Sequence, residues 1–267
     1  LGPLHGCLMR SVDVACAAAR AAAEIIRDGR DSALDVRHKG AIDMVTQIDL
    51  AAEDAIRTVL SQHTPDVPIL AEEGGGAWQA QTRWIVDPLD GTTNYVHGYP
   101  SYAVSIALQV DGVLEAGCVF DAVNGTPYTA IRGQGAFCAA DRISVSDTSA
   151  LEQSLLVTGF PYDRREHVDR YLRYVRRFLI VAQGLRRAGA AAMDFVALAT
   201  GRVDGYWEFG LNPWDVAAGV LLVSEAGGQV SDMKGGDLSL EAPRLLASNA
   251  KIHHEMTQIL TELLSSE

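Results

Sequence analysis

The stretch Arg83-Trp-Ile-Val-Asp87-Pro-Leu-Asp90-Gly-Thr-Thr-Asn94 sets two carboxylates three residues apart at the end of an apolar segment, and a glycine and two threonines follow at once. Arg83 to Val86 reads as a buried strand that Pro88 stops, and Gly91 to Asn94 has the composition of a turn feeding a helix N-terminus. Such a junction presents anionic oxygens to metal ions and free backbone N–H groups to a phosphate. An ordinary Asp-rich turn after a strand would look the same locally, so other parts of the chain decide between the two.

Further acids recur where elements end: Asp49, the pair Glu72-Glu73, and Asp215 within Asn212-Pro-Trp-Asp215. Magnesium prefers oxygen ligands in octahedral geometry and keeps several waters, so it needs a few carboxylates from different elements plus the oxygens of a phosphate. Taken singly, Asp49 and Asp215 serve equally well as helix caps, because Thr46 and Asp49 form a capping pattern and Pro213 puts Asp215 in a first helical turn. As a set with Asp87 and Asp90, a hard-cation site accounts for all of them together.

The elements that must position these groups follow from periodicity. Ser11 to Arg27 carries Val12, Ala15, Ala19, Ala22, Ile25 and Ile26 on one side of a helical wheel, and a second helix runs from Thr46 to about Gln62. Two short strands, Pro68 to Ala71 and Trp84 to Val86, deliver acids to one edge and flank Gly74-Gly75-Gly76, which reads as a mobile loop beside the acids rather than a nucleotide cradle. Tyr102 to Val145 alternates, with Asp111-Gly112 and Asn124-Gly125 turns, and predicts an antiparallel meander. Beyond it come a strand at Ser154 to Val157, a basic helix from Arg164 to Phe178, and a helix from Ala190 to Thr200. Strands near Val203 to Glu208, Val230 and Leu245 to Ala247 alternate with helices starting near Pro213 and Lys251. The order predicts layered α and β elements in two closely packed halves, residues 7–148 and 149–267, which can count as one domain.

Composition narrows the function classes. The chain has 267 residues, 48% of them hydrophobic, enough for a large core. With 34 acidic against 22 basic side chains, its formal charge of −12 argues against a nucleic-acid surface and requires cations between the protein and any anionic substrate. Cys7, Cys16, Cys118 and Cys138 form no CxxC pair and read as reduced structural cysteines, against zinc or a disulfide framework. No stretch reaches the roughly 18 apolar residues of a membrane span, and the N-terminus lacks a signal core, which places the protein in the cytoplasm. Leu1 to Gly6 read as an addition ahead of a native start near Met9. Metal ligation by a histidine is not expected: His253-His254 falls on a surface helix and His97 lacks a spaced partner. The arginines at 164, 165, 170, 173, 176 and 177 read first as a solvated helix face or subunit edge.

Several separated motifs together resemble the magnesium-dependent, lithium-sensitive phosphatases typified by inositol monophosphatase. They are Asp43-Met-Val-Thr46-Gln-Ile-Asp49, Ala71-Glu72-Glu73, Trp84 to Asn94, Gly184-Leu-Arg-Arg-Ala-Gly189-Ala-Ala-Ala192, Asn212-Pro-Trp-Asp215-Val-Ala-Ala-Gly219 and Glu225-Ala-Gly-Gly228. Within that family Gly201-Arg-Val-Asp-Gly-Tyr-Trp-Glu208 and the proline of Asn212-Pro213-Trp214 look most like the bacterial inositol-1-monophosphatases.

The resemblance implies an αβαβα layered sandwich of the inositol monophosphatase and fructose-1,6-bisphosphatase type, assembled as a homodimer. It implies two or three magnesium ions, with manganese as a substitute and lithium as an inhibitor, held by Glu72, Asp87, the Leu89 carbonyl, Asp90 and Asp215. Thr92 would orient the attacking water together with Glu72, with Asp49 behind it, and Gly91 and Thr92 would offer N–H groups to the phosphate. Asp90, Ala191, Glu208 and Asp215 would contact the alcohol half, and Lys39 matches a lysine near the family's site. Ala190, where many relatives carry Thr or Ser, weakens the match on that wall. The expected reaction is hydrolysis of inositol 1-phosphate by a metal-activated water.

Fructose 1,6-bisphosphate, histidinol phosphate and 3′-phosphoadenosine 5′-phosphate are alternatives from the same superfamily, although Thr93-Asn94-Tyr95 looks like the inositol branch. Some similar bacterial proteins also act with the transcription machinery, so an interaction role is the alternative from another class. The arginine-rich helix and Arg186-Arg187 motivate it.

Overall fold

The β5 strand, Arg83–Asp90, is buried along its whole length and organises the sheet that carries the acids. The computed structural model describes residues 3–30, 36–38, 44–241 and 243–267, with side chains undescribed at 3–10, 38, 44 and 45. Lys39 and Asp43 lie outside the described residues. Before β5 come α1 (Pro3–Gly29), β1 (Val36–His38), β2 (Met44–Thr46), α2 (Gln47–His63), β3 (Ile69–Ala71) and β4 (Gly75–Gly76). After it come α3 (Thr92–His97) and the meander β6 (Ala103–Val110), β7 (Val113–Asp121), β8 (Thr126–Ile131), β9 (Gly135–Cys138) and β10 (Asp141–Ile143). The remainder is β11 (Leu155–Thr158), α4 (Val168–Val181), β12 (Gly184–Arg186), α5 (Ala191–Ala199), β13 (Gly205–Glu208), α6 (Pro213–Glu225), β14 (Gln229–Asp232), β15 (Leu245–Ser248) and α7 (His253–Ser265).

These elements stack as αβαβα. An eight-stranded sheet has the order β10-β9-β8-β7-β6-β5-β3-β4, and a five-stranded sheet the order β12-β11-β13-β15-β14. On one face of the larger sheet lie α1 and α2, where Ala15, Ala18, Ala19 and Ala22 are fully buried and bring the backbones close. Between the sheets lie α5 and α6, whose Phe195, Val196, Leu221 and Leu222 join Ile85 and Val119 of the first sheet and Tyr206 and Ala247 of the second in one core. On the outer face of the smaller sheet, Tyr174 and Phe178 of α4 and Met256 and Leu260 of α7 cover Trp207 and Leu246. Burying a side chain of this size contributes about 1.5–3 kcal/mol, so the shared middle layer welds the two sheets together.

Several local expectations change. Pro88 does not end β5: pairing with β6 continues from Asp87 opposite Ser105 to Asp90 opposite Ala103. Three steps on β5 match two on β6, a bulge that accommodates a residue with no N–H to donate. The glycine loop is tied down rather than loose. Gly75 and Gly76 pair with β3, and the buried Glu53 carboxylate accepts the N–H groups of Glu73 and Gly74 at 2.9 and 3.0 Å. The basic helix starts later than expected, because Tyr162–Arg165 forms a 3-10 turn before α4. The first helix begins earlier, at Pro3, within the segment set aside above. The thiols of Cys16 and Cys118 meet at 3.4 Å between α1 and β7.

His253 is the clearest reversal. It is buried rather than on the surface, with Nε2 at 2.9 Å from the Ser231 hydroxyl and Nδ1 at 2.9 Å from the Ser248 hydroxyl. Burial pushes its pKa down to about 4, against 6.5 in the unfolded chain. Between those values the unfolded state binds the extra proton, so the stability from neutral His253 is complete above about pH 6.5 and lost as the pH falls toward 4. Urea unfolding of the wild type and of His253→Gln at a series of pH values tests this. The stability gap should be constant above pH 7 and shrink toward pH 4; a constant gap throughout contradicts it.

Candidate active site

In a regular strand, residues three apart point to opposite faces. The bulge at Pro88-Leu89 adds one residue, and Asp87 and Asp90 therefore both line one cleft with Glu72 at the end of β3 and Asp215 at the start of α6. The Asp87 carboxylate accepts the Leu89 N–H at 3.0 Å, which fixes the bend. Gly91 follows at φ +88°, and a Cβ there would sit 3.0 Å from the Ser101 carbonyl and 3.1 Å from Ala190, so only glycine passes between them.

Thr92 opens α3 with its hydroxyl 2.9 Å from Asp49 Oδ1 and 3.1 Å from the Leu89 carbonyl. The other oxygen of Asp49 accepts the Thr46 N–H at 2.8 Å and its hydroxyl at 2.6 Å. Asp49 thus both completes the capping box of α2, whose N-cap is Thr46, and is the partner of Thr92. With its proton donated to a carboxylate, Thr92 keeps a lone pair that can accept a hydrogen bond from a water.

Asp90 is bound to the N-terminus of α5, accepting from Ala191 N at 3.2 Å and Ala192 N at 2.7 Å. This carboxylate therefore ties β5 of the larger sheet to the helix layer between the sheets. Asp215 closes a capping box on α6, accepting the Asn212 N–H at 2.6 Å, and still faces the cleft. Glu208, at the end of β13, receives the Tyr206 hydroxyl at 2.5 Å. A Cβ on Gly159 would fall 1.9 Å from Glu208 Oε1, so glycine at that position leaves room for the carboxylate. Asn94 and Tyr95 serve the scaffold: Asn94 donates to the Ser101 and Ala188 carbonyls at 2.7 and 2.9 Å, and the Tyr95 hydroxyl to Ile26 at 2.9 Å.

The cleft holds too much negative charge to be comfortable. Burial, followed by repulsion from Glu72, Asp90 and Asp215, holds the Asp87 carboxyl well above the usual carboxylate range. Burial and then Glu72 do the same to Asp215. Asp90 is raised to about 7 by burial, against the pull of the Ala192 and Ala191 N–H groups. Glu208 is also raised to about 7, mainly by burial, with the Tyr206 hydroxyl and Arg187 opposing. An all-oxygen set of this kind suits a hard divalent cation. Among the described residues no three potential ligands are drawn close enough to grip an ion alone. Any ion here would take part of its shell from water and a bound phosphate, as magnesium commonly does.

Three charged lining residues were not assigned to the site by the sequence. Asp194 is buried in α5 with its carboxyl far above the ordinary range, from burial and then Glu208 and Asp90. Its one sequence signal is an acid inside the apolar run Ala191-Ala-Met-Asp-Phe-Val. Arg164, read above as part of a solvated helix face or subunit edge, and Arg187, read as a motive for an interaction role, reach the same cleft from separate segments.

Residues 9–265 match the model of the inositol monophosphatase family. The chain is 44% identical over 248 residues to the Pseudomonas aeruginosa protein named Nus factor SuhB, covering 90% of this chain and 92% of that one. It is 42% identical over 253 residues to the inositol-1-monophosphatase of Mesorhizobium japonicum, covering 94% and 95%. The solved inositol monophosphatase from Anabaena superposes with a TM-score of 0.87 at 39% identity, over 97% of this chain and 99% of that one.

The electrostatics make a prediction for protein freed of divalent cations by a chelator. Asp90 and Glu208 stay protonated in the fold up to about pH 7 but ionise in the unfolded chain at the ordinary 3.8 and 4.5, so their contribution to stability is complete below those values, is lost as pH rises toward 7, and changes no further above it. The thermal midpoint should fall between pH 5 and 7 in the wild type and level off above pH 7, and the fall should flatten in the Asp90→Asn, Glu208→Gln double variant. An equal slope in both proteins contradicts the assignment.

Proposed function

The chain belongs to the inositol monophosphatase family, and on that premise we propose that it is a magnesium-dependent phosphatase hydrolysing polyol phosphate monoesters of the inositol 1-phosphate type. The observation that carries the reading is the sharing of one cleft by Glu72, Asp87, Asp90, Asp215, the Leu89 segment and the Thr92–Asp49 pair. Asp87, Asp90 and Asp215 also raise one another's proton affinity, or have it raised by Glu72. A purely structural protein gains nothing from collecting buried like charges.

Glu72, Asp87, the Leu89 carbonyl, Asp90 and Asp215 would hold the ions. Bound magnesium supplies neutralisation of the phosphoryl oxygens, a lowered pKa for the attacking water and stabilisation of the departing oxygen. The chain's own groups do the positioning. Asp49 accepts the Thr92 hydroxyl, which turns the Thr92 lone pair toward the water. Glu72 takes the second hydrogen bond and the proton as the water oxygen bonds to phosphorus and the ester P–O bond breaks. Gly91 and Thr92 N–H groups would meet the phosphate, and Ala191, Glu208, Asp90 and Asp215 would meet the alcohol, which leaves as the alkoxide and takes its proton from solvent, to which Glu72 returns the one it accepted. Manganese as a substitute, lithium as an inhibitor and a homodimeric assembly belong to the same proposal.

The experiment is phosphate release from inositol 1-phosphate with magnesium, by wild type and Asp90→Asn. Turnover should drop at least ~100-fold, since metal electrostatics supply several kcal/mol and each ~1.4 kcal/mol is tenfold. Near-normal turnover in the variant overturns the reading. Histidinol phosphate and the adenosine bisphosphate belong in the same assay, and preference for the nucleotide would move the substrate assignment.

The name of the Pseudomonas relative favours a second reading, an additional role beside the transcription machinery. A pull-down with the full chain tests it: recovery of polymerase or a transcription factor supports that role, and recovery of neither removes it.

A further inference from the structure

Helix α2 touches the site twice. Its Asp49 holds the Thr92 hydroxyl at 2.9 Å, and Glu53, four residues on and so on the same helix face, is also buried and holds the turn that begins with Glu72. That turn joins β3 to β4. The Glu72 N–H goes to the Val86 carbonyl of β5 at 3.2 Å, one residue before Asp87. The next two N–H groups, of Glu73 and Gly74, both go to the Glu53 carboxylate, at 2.9 Å to Oε2 and 3.0 Å to Oε1. Arg57, one turn further along α2, pairs with Glu53 Oε1 at 2.8 Å and donates to the Gly75 carbonyl at 3.3 Å. Gly74 is what lets the pair come so near: a Cβ there would fall 2.5 Å from Glu53 Oε1 and 2.7 Å from Arg57 Nη2. Both of those atoms end flexible side chains, so a side chain at 74 would displace the pair rather than the backbone.

Glu72 lines the cleft, whereas Glu53 and Arg57 lie outside its lining. The β3–β4 ladder, Leu70 opposite Gly76 and Ala71 opposite Gly75, is complete without them. What Glu53 adds is a grip on the backbone directly after Glu72. We propose that Glu53, with Arg57 as its counter-charge, is a positioning residue for Glu72: it fixes the far side of Glu72 as β5 fixes the near side, and so keeps the Glu72 carboxylate in register with Asp87 for the divalent ion. This role rests on the reading of Glu72 as an ion ligand. One face of α2 then sets both groups that orient the attacking water, Thr92 through Asp49 and Glu72 through Glu53. Groups that hold a metal ligand in place are worth about 10–100-fold in metal affinity, and Glu53, which acts through the neighbouring backbone, falls at about tenfold.

The test is manganese binding, with the free ion read by electron paramagnetic resonance, at a temperature where circular dichroism shows every variant folded. Wild type is compared with Glu53→Gln, Gly74→Ala and, as control, Asp54→Asn. Glutamine keeps the shape of Glu53 but has a single acceptor oxygen and turns an NH2 group toward donors. Gly74→Ala displaces the pair without changing any charge, and Asp54→Asn removes the same charge from the exposed face of α2. The dissociation constant should rise about tenfold in the first two variants and keep its wild-type value in the control. With saturating magnesium, their hydrolysis of inositol 1-phosphate should lose kcat while KM stays unchanged. Wild-type manganese affinity in either Glu53→Gln or Gly74→Ala, whatever its thermal midpoint, overturns this role and leaves Glu53 a stabiliser of the turn. An equal weakening in Asp54→Asn, or a kinetic loss carried by KM, overturns it too. A wild type that takes up no manganese overturns the reading of Glu72 as a ligand, and this role with it. A wild type that binds manganese but hydrolyses no phosphate ester overturns only the phosphatase reading, and the binding comparison still decides the role of Glu53.

Discussion

Carboxylates buried together repel, and the architecture of this protein is arranged around holding such a group in place. Asp87, Asp90 and Asp215 are each fixed by backbone N–H groups, from Leu89, from Ala191 and Ala192, and from Asn212. Those bonds orient the side chains without neutralising them, because an amide contributes a partial charge where a lysine would contribute a whole one. The excess negative charge left over is what a cation and a phosphate would relieve. Burying it costs stability, and the three-layer core around α5 and α6 offsets that cost.

The bulge in β5 makes the arrangement geometrically possible. Without the extra residue, Asp87 and Asp90 would face opposite sides of the sheet, one of them toward α1 and α2. With it, the strand also turns into Gly91 and α3, which puts Thr92 against Asp49 at the cap of α2. Asp90 bridges to α5 and Asp215 caps α6, so the site is assembled at the junction of the two sheets. Mutations that loosen that junction should affect the cleft before they affect either sheet.

Much of this was legible in the sequence because local chemistry recorded it. Strand ends, caps and glycines mark Asp87, Asp90, Gly91, Thr46, Asp49 and Asp215, and the αβαβα order follows from alternating periodicities. What was not legible depends on distant partners. Pro88 looks like a strand stop until β6 is seen to continue the pairing. His253 looks like a surface residue until Ser231 and Ser248 close around it. Arg164 and Arg187 sit among other arginines, and only the fold singles out the two that reach the cleft. Likewise, nothing near Gly159 in the chain announces that it leaves room for Glu208.

The central claim is that the acidic cleft binds phosphate only through divalent cations. Titration calorimetry of inorganic phosphate into the protein, with magnesium and with chelator, tests it directly, and reciprocity requires phosphate to tighten magnesium binding by the same factor. The account predicts saturable phosphate binding with magnesium and none detectable without it. Equal phosphate affinity in the two conditions would contradict it.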